Sequence, residues 1–561
     1  MADVMKKRAP WHFAVNSLID GVIAVLVGAL ANAVPLLAAT LTFFGGLVLL
    51  ISGTEPAVHG RLTILRSFLP LPFAEASHLL ASVVGLLLLI VARGLIARMA
   101  IARTVAIVLL VAGATFSILK ALDWEDAASM LVIAAILFAS GRAFYRRAER
   151  RANWSALRPT PGWLALMATV VAAVVFLGLY AFQNVEYRGD LWWEFSWRGN
   201  APRFLRAMLA VAILAATIAL DALINGPTQS LAVSPAIPKA VRDLVGHSST
   251  AQANLALLGD KEFMISDLHD AFIMYGLAGR SWIAMGDPVG DPDAGRELIW
   301  RFAERVDRAG ARPVFYATDP AWLSTYLDLG LSILKVGELA RVDLAQFSLS
   351  APQWAELRRA DRRASKEGIV FAIVPKADVH LLLPELRNVS NAWLNGKAGH
   401  EKGFSLGFFD EVYLAQFDLA VMLQDGVPVA FANLWRGANR WEISPDLMRY
   451  RPGVSKVMMD ALLARLMAYA ADQGYRWFNL GATPLAGLSS HPLASSWNRF
   501  GTFIYRYAEG VYNFEGLRAY KQKFHPSWTP QYLACPGGLT TLSVLFDLAA
   551  LMSGGRLRIL T

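Results

Sequence analysis

Cysteine and charged residues are both scarce in this sequence. Its 561 residues contain one cysteine, Cys535, and charged residues make up 17% of the chain, against about 25% in an ordinary soluble protein. A single thiol excludes a disulfide framework and a zinc site built from several cysteines. Low charge together with 55% hydrophobic residues excludes a disordered chain and a purely soluble enzyme.

The motifs of several common enzyme classes are also missing. The sequence has no GxxxxGK[ST] loop, GxGxxG fingerprint, HExxH helix or GxSxG elbow, so ATP use, dinucleotide binding, zinc hydrolysis and serine hydrolase chemistry lack their usual parts. The net charge of +9 is modest, but the basic residues occur in clusters. Such clusters suit contact with anionic lipid or nucleic acid.

Long apolar runs fill the first 227 residues and predict a membrane domain. Five runs are each long enough to cross a hydrocarbon core of about 30 Å, namely Ser77–Ala97, Thr104–Lys120, Ala127–Tyr145, Gly162–Phe182 and Phe204–Ile224. A further run, Val15–Ile51, exceeds one span, and Pro35 near its middle leaves a hairpin or a broken helix open. The total is therefore about six transmembrane helices.

The distribution of arginine predicts the orientation of these helices. Between Arg142 and Arg158 there are six arginines and one glutamate, and Lys6 and Lys7 precede the first apolar run. Because basic loops stay in the cytoplasm, both segments are expected inside, which favours a single crossing by residues 15–51. The remaining chain is then expected in the cytoplasm, after a membrane domain that crosses the bilayer several times.

Residues 228–561 alternate short β-type runs with amphipathic helical stretches. The first set comprises strands Phe263–Ser266, Phe272–Leu277, Ser281–Met285 and Arg312–Ala317 with helices Ala294–Ala309 and Pro320–Leu329. The second comprises strands Leu419–Gln424, Val427–Trp435, Arg440–Ser444 and Trp477–Leu480 with helix Val454–Asp472. This recurrence predicts a duplicated α/β unit, with domains at 228–370 and 371–561.

A basic helix is predicted between the two halves. Residues 352–367 have helical periodicity and carry five cations, Arg358, Arg359, Arg362, Arg363 and Lys366. Such a run is commonly a solvated face, while phosphate groups of an RNA or the membrane surface are alternative partners. The scattered histidines do not suggest a metal site.

Two polar segments in the second half are candidates for chemistry. Residues 444–453 are expected to run from a strand end into a helix, where Asp446 and Arg449 converge and Arg451 helps to seat a phosphate. Residues 512–528 are expected to form a helix on which Arg518 and Lys521 share a face. The alternative, purely structural interpretations are a turn with a local ion pair for the first segment and a solvated amphipathic helix for the second.

These segments make the sequence resemble the phosphatidylglycerol lysyltransferase family, also called multiple peptide resistance factor. The resemblance rests on residues 259–261 (GDK), 274–290, 446–449 (DLMR), 479–481 (NLG) and 512–526, with a further match at 190–193. It implies tandem acetyltransferase-like (GNAT-type) domains behind an α-helical membrane domain. Its longer members also flip the product lipid, whereas the larger flippase bundle is not evident in this chain.

The family resemblance implies a reaction and a set of site residues. Members move an amino acid from aminoacyl-tRNA to the glycerol hydroxyl of phosphatidylglycerol, which lowers membrane negative charge and gives resistance to cationic antimicrobial peptides. Lysine is favoured and alanine stays open. The catalytic residues map to Asp446, Arg449 and Lys521, the upstream histidine maps to His247, and substrate binding is expected at His247, Arg451, Arg518 and Glu515. The basic helix is the expected tRNA contact.

Exchange of one ester for another requires no ATP, metal or redox cofactor, so none is expected. Asp446 is expected to act as general base or to bind the amino group, Arg449 to hold a phosphate or orient Asp446, and Lys521 to stabilise the oxyanion or the lipid phosphate. The partners are aminoacyl-tRNA, phosphatidylglycerol and the bilayer, and a homo-oligomer is left open. Two other functions remain: a lipid transporter or flippase with a non-catalytic soluble domain, and a tRNA-dependent aminoacyltransferase of peptidoglycan precursors.

Overall fold

The chain forms two units. The computed structural model describes residues 33–52, 71–121, 123–145, 161–181, 208–212, 237–395, 401–489, 491, 493–495, 497–498, 514–538 and 540–553. Unit 1 comprises Met1–Thr228 and Asp307–Ala311, and unit 2 comprises Gln229–Val306 and Arg312–Thr561.

Unit 1 is helical and apolar. Its helices are α1 (Ala33–Ser52), α2 (Leu71–Ile96), α3 (Ala100–Ala121), α4 (Trp124–Ala139) and α5 (Pro161–Ala181). Three helices in the described part are long and apolar enough to cross a membrane, at Ala33–Ser52, Ala76–Ile96 and Ala100–Leu119. Membrane association is thus supported, while residues 15–32, the 146–158 loop, residues 190–193 and most of the 204–224 run lie outside the described residues.

Two of the membrane helices pack closely at a pair of glycines, and an arginine binds the C-terminal end of another. A Cβ atom on Gly46 would lie 2.7 Å from the carbonyl oxygen of Gly85, so α1 and α2 approach closely only because both positions lack a side chain. The Arg103 side chain of α3 donates hydrogen bonds to the carbonyls of Leu137 and Phe138, both at 2.8 Å. These bonds satisfy carbonyls in the last turn of α4, which ends at Ala139 and so falls short of the predicted end at Tyr145.

Unit 2 is built on a twelve-stranded sheet within the described residues. The strands are β1 (Glu262–Ile265), β2 (Ala271–Ala278), β3 (Ser281–Met285), β4 (Val289–Gly290), β5 (Arg312–Thr318), β6 (Ser332–Asp343), β7 (Ile369–Val374), β8 (Leu419–Gln424), β9 (Val427–Arg436), β10 (Glu442–Tyr450), β11 (Trp477–Pro484) and β12 (Ser527–Cys535). Their order is β1-β2-β3-β5-β12-β6-β11-β10-β9-β8-β7, and β4 pairs with β2.

Helices cover this sheet. They are α6 (Lys239–His247), α7 (Pro292–Arg308), α8 (Leu323–Asp328), α9 (Ala355–Lys366), α10 (Leu383–Asn395), α11 (Glu411–Leu414), α12 (Met458–Asp472), α13 (Phe514–Gln522) and α14 (Thr540–Ser553). Each half of the sheet has a hydrophobic core of its own, one around Phe272 and Ile283 and one around Leu462 and Phe478.

The two halves repeat one topology. In the first half β1, β2 and β3 are antiparallel, and α7 leads to β5, which is parallel to β3. In the second half β7 to β10 are antiparallel, and α12 leads to β11, which is parallel to β10. The predicted fold class, a helical apolar region followed by a duplicated α/β region, is confirmed.

The halves exchange their last strands. β12 ends the second half but pairs with β5 of the first, and β6 ends the first half but pairs with β11 of the second. β6 and β12 also pair with each other along nine residues, from Arg341 with Ser527 to Ser332 with Cys535. The centre of the sheet therefore contains strands from both halves.

Candidate functional site

Asp446 and Arg449 lie within a strand. The prediction that residues 444–453 run from a strand end into a helix is wrong, because β10 continues to Tyr450 and α12 begins only at Met458. Pro445 is accommodated because the register with β9 shifts between Pro445 and Met448, and a bulge removes the need for a ladder donor. The polar side chains are thus presented from a bulged strand and not from a helix N-terminus.

β10 and β11 separate where these side chains begin. Their parallel pairing comprises only Glu442 with Trp477 and Ile443 with Phe478. The Ser444 hydroxyl then donates to the carbonyl of Asn479 at 2.9 Å, and β11 has a register shift of its own between Asn479 and Ala482. Beyond this point the two neighbouring strands pair only with their outer neighbours, which leaves their carboxyl-terminal parts available to line a site.

The Asp446 carboxylate accepts hydrogen bonds on both oxygens. The Gly407 N–H donates to Oδ1 at 2.9 Å, and the Tyr413 hydroxyl donates to Oδ2 at 2.7 Å. The Trp435 indole in turn donates to the Tyr413 oxygen at 2.8 Å. Burial raises the pKa of Asp446, while these donors oppose the rise because they stabilise the ionised form.

The backbone at Gly407 approaches Asp446 so closely that only glycine fits. A Cβ atom at this position would lie 1.9 Å from Oδ2 of Asp446. Gly407 belongs to an irregular segment, residues 401–410, which we call the strap. Its requirement for glycine follows from the position of the carboxylate.

Arg449 is held by a carboxylate and an aromatic ring. Its Nη2 lies 2.9 Å from Oε1 of Glu401 in the strap, and its guanidinium carbon lies 3.9 Å from the ring centroid of Trp393 in α10. Burial lowers the pKa of Arg449, and Glu401 opposes this effect. A guanidinium stacked and paired in this way presents its remaining donors in a fixed direction.

Lys521 is a buried amine bound by two backbone carbonyls. It lies on α13, is 7% exposed, and its Nζ donates to the carbonyls of Gly481 at 3.0 Å and Ala482 at 2.9 Å. These carbonyls belong to the irregular part of β11, where Gly481 has φ +81°. Burial lowers the pKa of Lys521 to about 7. A neutral amine can keep both bonds and still offer a lone pair.

The predicted substrate residues are spread more widely. Arg518 lies 3.0 Å from Glu338 of β6, and its guanidinium carbon lies 5.2 Å from the ring centroid of Trp528. Arg451 directly follows β10 and is partly buried, whereas His247 is exposed at the end of α6 with its Nδ1 2.7 Å from the Asp243 carbonyl oxygen. The described contacts do not link His247 to Asp446. Glu515 lies in α13, and its side chain is outside the description.

The basic helix is confirmed as α9, and its cations differ in availability. Arg358 donates to the carbonyls of Leu349 and Ala351, which precede the helix. On the buried face Asp361 pairs with Arg465 of α12. The exposed face carries Arg359, Arg362, Arg363 and Lys366, of which Arg363 also pairs with Glu367 at 2.9 Å.

Several residues of the site around Asp446 were not predicted from the sequence. They are Tyr413, Gly407, Glu401, Trp393 and the adjacent pair Asp260 and Lys261. Asp260 and Lys261 are part of the GDK segment, which supported only the family resemblance. Among the described residues no cluster of three or more His, Cys, Asp or Glu side chains is arranged to hold a metal ion.

Comparison with known proteins identifies the family of the chain. A family profile described as "Phosphatidylglycerol lysyltransferase, C-terminal" matches residues 242–535. A phosphatidylglycerol lysyltransferase of Bacillus subtilis is 30% identical over 522 residues, covering 91% of this chain and 58% of the relative. One from Staphylococcus haemolyticus is 31% identical over 282 residues, covering 50% of this chain and 33% of the relative. The chain thus spans only part of the length of these relatives.

Two solved structures match unit 2. The C-terminal domain of a putative lysylphosphatidylglycerol synthetase from Agrobacterium fabrum is 41% identical, with a TM-score of 0.52, covering 56% of this chain and 96% of that chain. The structure of L-PGS from Bacillus licheniformis is 33% identical, also with a TM-score of 0.52, covering 57% and 97%.

Proposed function

The chain belongs to the phosphatidylglycerol lysyltransferase family, and from this premise we propose that it transfers an aminoacyl group from aminoacyl-tRNA to a glycerol hydroxyl of phosphatidylglycerol. The observation that carries the proposal is the set of groups where β10 and β11 separate. One strand holds a carboxylate and a guanidinium, Asp446 and Arg449, and the other holds the buried amine of Lys521. These groups suit a cationic aminoacyl donor and an anionic lipid acceptor.

The proposed reaction balances without a cofactor. The lipid hydroxyl oxygen attacks the ester carbonyl carbon of the aminoacyl-tRNA and loses its proton to a base. The tetrahedral intermediate then collapses, the carbon–oxygen bond to the ribose breaks, and the ribose oxygen takes up a proton. One ester is consumed and one is formed.

We assign the proton transfer to Lys521. Its amine donates to two carbonyls, and burial lowers its pKa to about 7, so its neutral form is available near neutral pH and can accept the proton of the lipid hydroxyl. Asp446 then binds the ammonium group of the aminoacyl donor, and Arg449 binds the lipid phosphate. The other role for Lys521, an ammonium that stabilises the oxyanion, predicts the opposite pH dependence.

The membrane helices and the basic helix provide the two substrates with contacts. Unit 1 holds the protein in the inner membrane as a multi-pass protein with unit 2 in the cytoplasm, as the arginines of residues 142–158 favour. The exposed cations of α9, at positions 359, 362, 363 and 366, bind the phosphates of the tRNA. An added lysyl group reverses the charge of the lipid headgroup and thereby weakens binding of cationic peptides, and alanyl transfer neutralises it.

A lipid extract tests the reaction. Mass spectrometry of lipids from a host that expresses the full chain should show an aminoacyl ester of phosphatidylglycerol, with lysine as the first expectation. Its absence with a folded, membrane-inserted protein would refute the proposal and favour a transporter. An aminoacylated peptidoglycan precursor would instead identify the other class of acceptor.

Single-turnover transfer in detergent tests the role of Lys521. Lys521→Ala should reduce the rate by about 100-fold or more, and Lys521→Arg should rescue poorly because a guanidinium does not release its proton. Lys523→Ala, which removes an amine just beyond the end of α13 that pairs with Asp460 of α12, should cost far less. If Lys521 is the base, kcat/KM should rise as the pH increases through about 7. A fall over this range would instead indicate that the Lys521 ammonium stabilises the oxyanion.

A further inference from the structure

A buried ion pair of the first half, Asp260 and Lys261, is linked to the Asp446 site through the strap. Lys261 directly precedes β1 and is 3% exposed, with no exposure of its side chain. Its Nζ donates to Oδ1 of the adjacent Asp260 at 2.5 Å and lies 5.4 Å from the ring centroid of Phe404. The ammonium is also attracted by the charge of Asp446. Lys261 thus pairs with one carboxylate of the first half and interacts electrostatically with one of the second.

Burial of this ammonium requires compensation by both carboxylates. Moving a charged amine out of water costs several kcal/mol unless it is paired and hydrogen-bonded. Burial accordingly lowers the pKa of Lys261, whereas Asp260 and Asp446 raise it. Because the attraction is mutual, Lys261 also favours the ionised form of Asp446.

Asp260 in turn binds the strap. Its Oδ2 accepts a hydrogen bond from the Phe404 N–H at 2.8 Å. Phe404 has φ +64°, a left-handed conformation that is unfavourable for a bulky side chain and persists only where the surroundings impose it. Three residues later Gly407 donates to Asp446, and Glu401 of the same strap pairs with Arg449.

We propose that Asp260 and Lys261 are a positioning pair for the candidate site, in which Asp260 fixes the strap at Phe404 and Lys261 keeps the Asp446 carboxylate ionised for the ammonium group of the donor. The second part rests on the proposed function. Neither residue touches the reacting atoms. Both act through the strap or through the charge of Asp446.

The proposal predicts a change in pH dependence with a definite sign. Asp446 faces the Gly407 N–H of the strap, the hydroxyl of Tyr413 on α11, the amide of Asn433 on β9, the ammonium of Lys261 and the guanidinium of Arg449. Activity requires both neutral Lys521 and ionised Asp446, so kcat/KM falls with decreasing pH in two steps, one at about pH 7 from Lys521 and one at the pKa of Asp446. Loss of the Lys261 charge raises the pKa of Asp446 further, so the Asp446 step, which is the acid limb followed here, moves to higher pH by about one unit.

Two double variants of the full chain separate the two roles. Asp260→Asn/Lys261→Met keeps an oxygen acceptor for the Phe404 N–H but removes the cation. Asp260→Ala/Lys261→Met removes both. Neither leaves an unpaired buried ammonium, so folding should persist, which circular dichroism checks. The readouts are the pH profile of kcat/KM and amide hydrogen exchange of residues 401–410.

Both variants should shift the acid limb to higher pH by about one pH unit. Only in the alanine variant should the strap amides exchange hydrogen faster, by about tenfold for one lost hydrogen bond. Arg301→Gln, which breaks an exposed ion pair with Asp267 in the same half, should change neither. An unmoved acid limb in the asparagine variant, or unchanged strap exchange in the alanine variant, would overturn the proposal. If the wild-type chain transfers nothing, the proposed function fails, and the exchange measurement still decides whether Asp260 positions the strap.

Discussion

Lys521→Met should stabilise unit 2 at neutral pH while it abolishes transfer. The wild-type residue is a buried amine whose partners are two backbone carbonyls. Methionine has nearly the same length and no charge, so it removes the desolvation cost of the ammonium and leaves the apolar stem in place. When a residue is retained for function at the expense of stability, its replacement increases stability and reduces activity.

The magnitude follows from the pKa of Lys521 in the two states. Burial lowers it from 10.5, the ordinary value that the unfolded chain retains, to about 7. Between these values the unfolded state holds more protons than the folded state, so wild-type stability rises with pH. From pH 7, where the folded-state amine is half protonated, to pH 9 the rise is about 2 kcal/mol. Methionine does not titrate, so the stability advantage of Lys521→Met over wild type should shrink by this amount as the pH rises from 7 to 9.

The measurement is unfolding of the full chain in detergent at pH 6.5 and pH 9, followed by tryptophan fluorescence. Asp287, whose pKa burial raises to about 7, titrates in both proteins and cancels in the difference. Lys523→Met, which breaks a partly exposed pair with Asp460, should lose at most about 1 kcal/mol at either pH. An advantage of Lys521→Met that is independent of pH, or a less stable variant at pH 6.5, would contradict the reasoning.

Two further predictions concern the basic helix and the strap. Replacing Arg359, Arg362 and Arg363 by Gln should weaken tRNA binding in filter-binding titrations. It should also reduce the salt dependence of the affinity by the amount expected for the loss of up to about three phosphate contacts. An unchanged salt slope would show that the exposed face of α9 is only solvated. Gly407→Ala should reduce kcat/KM by about tenfold or more, because its Cβ would lie 1.9 Å from Oδ2 of Asp446, and near-normal transfer by the folded variant would show that the strap need not hold this carboxylate.

Local patterns predicted most elements of unit 2. The short apolar and aromatic runs at 272–277 and 281–285 identified β2 and β3 to within one residue at each end, because residue composition is a local property. β10 was predicted too short, since Pro445 is normally a strand breaker. The bulge that accommodates it depends on pairing with β9, which sequence periodicity does not report.

The candidate site was predicted only in part. Asp446, Arg449 and Lys521 were identified through family resemblance, and their roles and those of His247, Arg451, Arg518 and Glu515 stay predictions. Lys261 was missed because its significance comes from burial and from a carboxylate in the other half. The pairing of Arg518 with Glu338 was missed for the same reason, since β6 and α13 are distant in sequence.

The exchange of β6 and β12 also sets the order in which the protein can fold during synthesis. β5 and β12 pair at Phe315 and Ala534, more than 200 residues apart, and closing so long a loop is slow. While the ribosome is still making the second half, the β5 edge of the first half lacks its partner and is open to wrong pairing. The first half is therefore expected to complete its part of the sheet only after the last strand emerges from the ribosome.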